Sequence, residues 1–148
     1  MTTPNLIPGS KFRLLRESDT TPGTFEFVCL ATTVSFERGK EFDDATVPDC
    51  DNPDAVPFRK SMVKSRSWDV SFSGRSDAKR LEKIEADHES DAPRKYQILV
   101  ALSGADGGKT YTGPAHVGPV TIAKNDNGIV TFSSSLRGDG AYVRAPVA

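Results

Sequence analysis

The stretch that decides the fold is Ser65–Gly74, which reads SRSWDVSFSG. Its hydrophobic and polar residues alternate, with Trp68, Val70 and Phe72 set against Ser67, Asp69, Ser71 and Ser73. A repeat of two residues is the pattern of a β-strand that turns one face to a hydrophobic core and the other to a polar environment. We therefore expect the three hydrophobic residues to anchor the core.

Further elements lie on both sides of this strand. The same type of pattern predicts strands at Lys11–Arg16, Phe25–Phe36, Lys95–Ser103, Thr110–Lys124 and Ile129–Leu136. One helix is predicted over about residues 76–89, with Ser76 or Asp77 as its cap and a hydrophobic stripe of Ala78, Leu81, Ile84 and His88. The sum is a mainly β protein, an antiparallel β-sandwich or barrel with one flanking α-helix.

Local sequence features add a more specific prediction for two of these strands and for one turn. Phe25–Phe36 is hydrophobic on both faces, which predicts burial on both. Gly-Pro pairs at Gly113-Pro114 and Gly118-Pro119 interrupt Thr110–Lys124, and proline cannot donate to a sheet, so we expect a bulged or edge strand there. Asn125–Gly128 predicts a hairpin turn.

Three segments show little hydrophobic pattern. The longest, 37–64, is polar and predicts a protruding loop, since connections beyond about 12–15 residues are usually functional or disordered. Residues 1–10 predict an N-terminal arm, and residues 137–148 predict a C-terminal arm with a short extended piece at Ala141–Val143. The whole chain, 1–148, is expected to form a single domain.

Composition excludes some classes of function. Lys and Arg total 19 against 20 for Asp and Glu, so the basic footprint of a nucleic-acid-binding protein is missing. Cys29 and Cys50 stand at unrelated positions and are expected to be free thiols in a reducing compartment. The sequence shows neither a signal peptide nor the roughly 18 consecutive apolar residues of a membrane helix, so synthesis and folding in a cytoplasm are expected.

Catalytic and metal-binding patterns are weak. His88 and His116 are the only histidines, and no G-x-S-x-G motif accompanies them, so we expect no enzyme, no catalytic residues and no cofactor. Carboxylates suit Ca²⁺, and five crowd one segment, Asp43, Asp44, Asp49, Asp51 and Asp54. Their spacing lacks the central glycine and closing glutamate of an EF-hand, so no metal is expected. A Ca²⁺- or carbohydrate-binding β-sandwich that uses this segment remains the alternative, and a small hydrolase is more remote.

The arrangement favours self-assembly. Strand edges left open in a monomer are pairing hazards, and a protein that polymerises uses them by joining strands from neighbouring copies. Head-to-tail contacts that close by rotation produce a ring. A long loop of mixed charge and two arms would then provide contacts between stacked rings.

Specific residues also resemble a known family. The run Thr46-Val47-Pro48-Asp49-Cys50-Asp51, then Arg66–Gly74 and the helix at Asp77–Asp87, resembles the major tail tube proteins of phages with long non-contractile tails, notably the branch of gene transfer agents. This resemblance extends from about Lys11 to Leu136. It implies hexameric rings stacked into a hollow tube, part of a virion or phage-like particle tail assembled in a bacterial host cytoplasm.

The same resemblance implies roles for individual residues. The 37–64 loop would contact the adjacent ring through Lys40, Glu41, Asp43, Asp44, Asp49, Asp51, Asp54, Arg59 and Lys60. DNA would pass through the tube without specific binding, other tail proteins would bind the tube ends, and no membrane insertion is implied. Because a basic lining would retain DNA, the lumen is expected to be lined by Ser67, Asp69, Ser71 and Ser73 or by Thr131, Ser133 and Ser135. Either set would equally suit an ordinary solvated face.

Overall fold

A computed structural model describes residues 3–124 and 128–147. Over these residues the chain forms eight β-strands and one α-helix. In chain order they are β1 (Phe12–Glu17), β2 (Phe25–Phe27), β3 (Ala31–Val47), β4 (Phe58–Arg75), α1 (Ala78–Glu89), β5 (Arg94–Val100), β6 (Lys109–Lys124), β7 (Val130–Gly138) and β8 (Val143–Pro146). Short 3-10 helices lie at Gly9–Lys11 and Gly104–Asp106.

All strands belong to one sheet with the order β2-β1-β5-β6-β7-β4-β3, and β8 pairs with β6. Over the described residues this sheet does not close into a barrel, and β2 and β3 are its terminal strands. The predicted mainly β, antiparallel fold with one helix is therefore confirmed, as a sandwich-like single sheet.

The chain divides into two compact units. One, called the body here, comprises Met1–Glu37 and Trp68–Ala148, and the other, called the hairpin, is Arg38–Ser67. The core side chains belong to the body, and its most completely buried large residues include Tyr96, Phe132 and Leu14.

The helix α1 covers the core through one face. Asp77 caps its first turn, where the Asp77 carboxylate accepts a hydrogen bond from the Lys79 amide at 3.1 Å. Leu81 and Ile84 are buried against the core, as their spacing predicts. His88 is exposed, however, and Asp87 takes the buried position beside Ile84.

Trp68 packs directly against two glycines that have no side chain to obstruct it. Its ring is 5% exposed, and its indole N–H donates to the Gly140 carbonyl at 3.0 Å. A Cβ at Gly138 would lie 2.4 Å from Trp68 Nε1, and a Cβ at Gly113 would lie 3.0 Å from Trp68 Cζ2. Phe36 and Tyr142 pack around the indole with ring centroids 6.2 and 6.3 Å away. Both glycines thus provide the space that the indole occupies.

The segment predicted as one strand, Phe25–Phe36, is two strands separated by a turn. After β2, the Val28 amide donates to the Leu14 carbonyl at 3.0 Å, and the Ala31 amide donates to the Val28 carbonyl at 3.2 Å. The face of this segment that carries Phe27 is not buried within the chain, since Phe27 is 54% exposed. The prediction was wrong because hydrophobic residues within the turn and after it, including Val28 and Phe36, pack on the same core.

The segment predicted as a loop, 37–64, is mostly β-structure. Strand β3 continues to Val47 and β4 begins at Phe58, so only residues 48–57 connect them. Hydrophobic periodicity is absent because neither face of this hairpin is buried, while main-chain pairing needs no hydrophobic pattern.

The C-terminal region also differs from a free arm. Strand β8 pairs with β6, with Lys109 opposite Pro146 and Thr112 opposite Val143. The extended piece therefore lies within the sheet, slightly later than Ala141–Val143. In β6 the register shifts between Val117 and Val120, which confirms a bulge at the second Gly-Pro pair, although β6 is an interior strand. In the predicted turn Asn125–Gly128, residues 125–127 lie outside the described residues.

Candidate functional site

The hairpin is held together by its main chain and by polar side chains. The Ser61 hydroxyl donates to Asp44 at 2.5 Å, and the Ser65 hydroxyl donates to Glu41 at 3.2 Å. Lys64 Nζ lies 3.7 Å from Glu41, and Arg59 lies 4.0 Å from Asp44. These ion pairs are exposed and contribute little to stability individually.

No residue of the hairpin is buried, although the structure describes all of it. Yet half of the exposed large hydrophobic residues in the described chain belong to this unit, namely Phe42, Val47, Val56, Phe58, Met62 and Val63. Val56 and Phe58 are 86% and 87% exposed, respectively. An isolated two-stranded hairpin is marginally stable, and uncovered hydrophobic surface is typical of an interaction site.

The tip of the hairpin, residues 48–57, carries Asp49, Asp51 and Asp54 and contains no lysine or arginine. The Asp49 carboxylate accepts a hydrogen bond from the Asp51 amide at 2.9 Å, which stabilises the local turn. The remaining charged residues predicted to contact an adjacent ring, Lys40, Asp43 and Lys60, are exposed on the strands of the hairpin. Among the described residues, no group of three or more acidic, His or Cys side chains is arranged to hold a metal ion.

The two polar strand faces that the sequence offered as alternatives are parts of one surface. In the β4–β7 pair, Ser71 lies opposite Ser135 and Ser73 lies opposite Ser133. Directly opposed residues of antiparallel strands share a face, so both rows belong to the same side of the sheet. We call this surface the polar face, defined by Asp69, Ser71, Ser73, Thr131, Ser133 and Ser135. Ser67 is exposed and is the last residue of the hairpin.

The polar face also has cationic members that the sequence did not point to. Arg137 lies opposite Asp69, and Arg75 lies opposite Thr131. The surface is therefore rich in hydroxyl groups and mixed in charge, rather than acidic. On the other side of the same strand, Trp68, Val70 and Phe72 are buried.

A buried ion-pair network connects α1 to the sheet. Arg16 on β1 binds Asp87 on α1 with two hydrogen bonds, 2.6 Å from Nε to Oδ2 and 2.9 Å from Nη2 to Oδ1. The Tyr96 hydroxyl donates to the same carboxylate at 2.5 Å. Arg94 lies 3.4 Å from Asp87 and 2.7 Å from Asp19, which extends the network to the surface.

This network changes the proton affinity of its members. The hydrogen bond to Asp87 raises the pKa of Arg16, whose side chain is 4% exposed. Burial, followed by the negative charge of Asp87, raises the pKa of Tyr96. The sequence did carry a signal for this site, because Asp87 falls three residues after Ile84 and Arg16 falls two residues after Leu14, each on a core-facing side.

Within residues 3–124 and 128–147, no helix combines the length and the apolar character needed to cross a bilayer.

Solved structures share this fold. The chain from a native gene transfer agent virion superposes with a TM-score of 0.73 at 16% sequence identity, over 93% of this chain and 98% of that chain. The chain from the tail of an empty gene transfer agent particle, refined with C6 symmetry, gives a TM-score of 0.71 at 18% identity, over 95% and 98%. The SPP1 tail tube gives 0.69 at 15% identity, over 97% of this chain and 81% of that one.

Sequence comparison identifies the family. No curated protein matches this chain in sequence. The family model of phage tail tube proteins, however, matches residues 8–144, which is nearly all of it. The resemblance seen in the sequence is therefore confirmed. This chain belongs to the phage tail tube protein family and is a tail tube subunit.

Proposed function

We propose that this protein assembles into hexameric rings that stack into a hollow tube for DNA delivery in the tail of a phage or gene transfer agent. The observation that carries this proposal is the hairpin, which has no buried residue and exposes six large hydrophobic side chains. Burial of apolar surface contributes roughly 25 cal/mol per Å², so a neighbouring copy that covers the hairpin would stabilise both partners.

Open sheet edges support growth within a ring. Strands β2 and β3 end the sheet over the described residues, so each has one neighbouring strand in the sheet, and a terminal strand is where another chain can add a strand. If one edge pairs with the other edge of the next copy, the contact is head-to-tail, and it forms a ring when the rotation from copy to copy closes. The number six is supported by the C6 symmetry of the similar gene transfer agent tail.

The polar face is the surface that we assign to the lumen. Its serine and threonine hydroxyl groups can be hydrated without attracting phosphates, and Asp69 lies opposite Arg137. Sliding DNA would be retained by rows of cations, since each neutralised phosphate adds to affinity. A face of hydroxyl groups with few, mixed charges therefore suits passage without specific binding.

Assembly would take place in the bacterial host cytoplasm, and the finished tube would belong to the particle tail. Other tail proteins would cap the two ends, where the hairpins of the last ring or their receptor surfaces remain uncovered. The charged hairpin residues, such as Glu41, Asp44 and Arg59, would orient the contact between rings through rim charges.

Electron microscopy of the concentrated, purified protein tests this proposal directly. We expect rings and tubes from the complete chain. Removal of Asp43–Arg59 should leave a folded protein, because every residue of the hydrophobic core lies outside this segment. The shortened protein should form no stacked tubes, and long tubes from it would overturn the assigned role of the hairpin.

A matched pair of variants tests whether the hydrophobic side chains of the hairpin matter. Phe58→Ser with Met62→Ser removes two exposed hydrophobic groups from the hairpin, whereas Ile122→Ser with Ile129→Ser removes two from the body. We expect the hairpin variant to raise the concentration required for tube formation and the body variant to assemble at nearly the original concentration. Equal effects of the two pairs would contradict a specific role of the hairpin.

A further inference from the structure

A cleft with basic residues at its rim lies on the body between α1 and the turn that follows β2. Its volume is about 540 Å³. Hydrophobic and thiol side chains form one side and cations from α1 form the other, namely Phe27, Cys29 and Leu30 and Lys79, Arg80 and Lys83. We call it the basic cleft. Its hydrophobic side is accessible, since Phe27 is 54% exposed.

Cations exceed carboxylates around the basic cleft. Lys83 Nζ lies 3.0 Å from Glu26, and Arg80 Nε lies at the longer distance of 3.9 Å from Asp77. The side chains of Arg80 and Lys83 are 64% and 50% exposed, so both can reach a bound partner. Because Lys79 adds a third cation to the rim, an acidic ligand would be favoured.

The tip of the hairpin has the complementary chemistry. It combines Asp49, Asp51 and Asp54 with the adjacent exposed hydrophobic residues Val56 and Phe58. The acidic residues match the cations of the cleft, and the hydrophobic residues match its apolar side. We propose that the basic cleft of one copy binds the hairpin tip of a second copy. This inference rests on the self-assembly proposed above and identifies the two surfaces that meet.

The geometry of such a contact leads to continued assembly. Each copy has one basic cleft and one tip, so the interface joins two different surfaces and leaves one of each uncovered. A contact of this type extends from copy to copy until it closes or ends. It therefore predicts a series of linked subunits rather than an isolated dimer.

The two cysteines of the chain allow a direct test. Cys29 lines the basic cleft, where its Sγ accepts a hydrogen bond from Arg80 Nη1 at 2.5 Å, and Cys50 lies in the tip. Both cysteines are exposed, and neither forms a disulfide. A disulfide requires Cα atoms about 4.4–6.8 Å apart, so its formation reports close approach. Diamide, added to assembled full-length protein, would take up the two electrons and two protons released when the two thiols join.

The expected product is an intermolecular Cys29–Cys50 disulfide, identified by peptide mass spectrometry and seen as a ladder of linked chains on a non-reducing gel. Cys29→Ser and Cys50→Ser should each abolish the ladder. If tubes form but only Cys50–Cys50 links or none appear, the contact is wrong and the proposed assembly stands. If no tubes form under any condition, the proposed function fails together with the contact.

Charge exchange provides an independent test. Lys79→Glu with Lys83→Glu should lower the yield of linked chains about tenfold at fixed protein concentration, since each exposed ion pair contributes up to about a factor of five. Arg80 is left unchanged because its guanidinium donates to the thiol of the cleft, and its loss would alter the reacting group itself. Asp49→Lys with Asp51→Lys should have a similar effect. The combination of all four substitutions should restore the yield, because the signs are again complementary.

The control for this exchange removes two cations elsewhere. Lys124→Glu with Arg144→Glu makes the same change in net charge on exposed residues that do not line the basic cleft. This control should leave the yield of Cys29–Cys50 links within about twofold of the original. A yield that falls as far in the control, or that stays low in the fourfold variant, would overturn the proposed contact.

Discussion

Gly138 leaves no room for a side chain, because the ring of Trp68 occupies the space beside its Cα atom. A Cβ placed on Gly138 would lie 2.4 Å from Trp68 Nε1 and Cε2 and 2.6 Å from Cδ1. Carbon atoms pack at about 3.5–4.0 Å, so Gly138→Ala requires a displacement of about 1 Å or more. We expect this single methyl group to destabilise the protein strongly.

The expected loss in the free energy of unfolding follows from the contacts that hold Trp68 in place. Its indole N–H donates to the Gly140 carbonyl at 3.0 Å, and Phe36 and Tyr142 pack around the ring. Overpacking of a dense core costs about 1–3 kcal/mol, and loss of the indole hydrogen bond adds about 1 kcal/mol. We therefore expect Gly138→Ala to lower the free energy of unfolding by about 2–4 kcal/mol, which corresponds to about 5–15 °C in Tm.

Two other glycines provide matched comparisons for urea and thermal unfolding followed by circular dichroism in dilute protein. A Cβ at Gly9 would meet nothing within 4 Å, so Gly9→Ala should leave Tm within about 1 °C of the original. At Gly113 the Cβ would lie 3.0 Å from Trp68 Cζ2, so Gly113→Ala should have an intermediate effect. A Gly138→Ala protein as stable as Gly9→Ala would refute the reasoning about the tight fit of Trp68.

Further predictions concern the buried network. Asp87→Asn removes the buried anionic partner of Arg16, whose remaining carboxylate contact, with Asp19 at 3.1 Å, is half-exposed, and it should cost about 3 kcal/mol in urea unfolding. Glu26→Gln, at an exposed ion pair, should lower the stability far less. Equal losses would contradict the assigned burial. Burial raises the pKa of Tyr96 above its ordinary value of 10.0, so the folded state keeps a proton that the unfolded state loses above that pH. Stability should be fully retained below pH 10 and fall above it by up to about 1.4 kcal/mol per pH unit, and Tyr96→Phe should remove this part of the slope.

The elements that the sequence predicted well are those with one buried face. In β4, Val70 and Phe72 are buried and Ser71 is exposed, so burial imposes a repeat of two on the sequence. In α1, Leu81 and Ile84 follow the helical repeat for the same reason. Where one face must be hydrophobic, the spacing of the hydrophobic residues indicates whether the element is a strand or a helix.

The hairpin could not be recognised in the same way. From Arg38 to Ser67 no side chain is buried, so no face selects hydrophobic residues and no period arises. The turn at Val28–Leu30 was missed for the opposite reason, because hydrophobic residues continue through it to contact the same core. Main-chain geometry changes in both places without a change in the hydrophobic pattern.

Part of the candidate site depends on register, which is not local information. Whether Ser71 and Ser135 share a face is decided by the pairing of β4 with β7, two strands separated by α1, β5 and β6 in sequence. A shift of one residue in that pairing would have placed Ser134 opposite Ser71 instead. Similarly, the basic cleft combines α1 with a turn about 50 residues earlier, a contact that only the folded body creates.

The body buries a pair of charged residues, whereas the hairpin exposes hydrophobic residues. The body buries Arg16 and Asp87 with two short hydrogen bonds, at a desolvation cost that hydrophobic residues of similar volume would avoid. The hairpin leaves Val56 and Phe58 almost fully exposed, although burial would stabilise them. Since the body could bury such residues and the hairpin cannot, their position is unfavourable in a monomer. It becomes favourable only when another molecule covers them, so stability of the hairpin and assembly of the tube should be coupled.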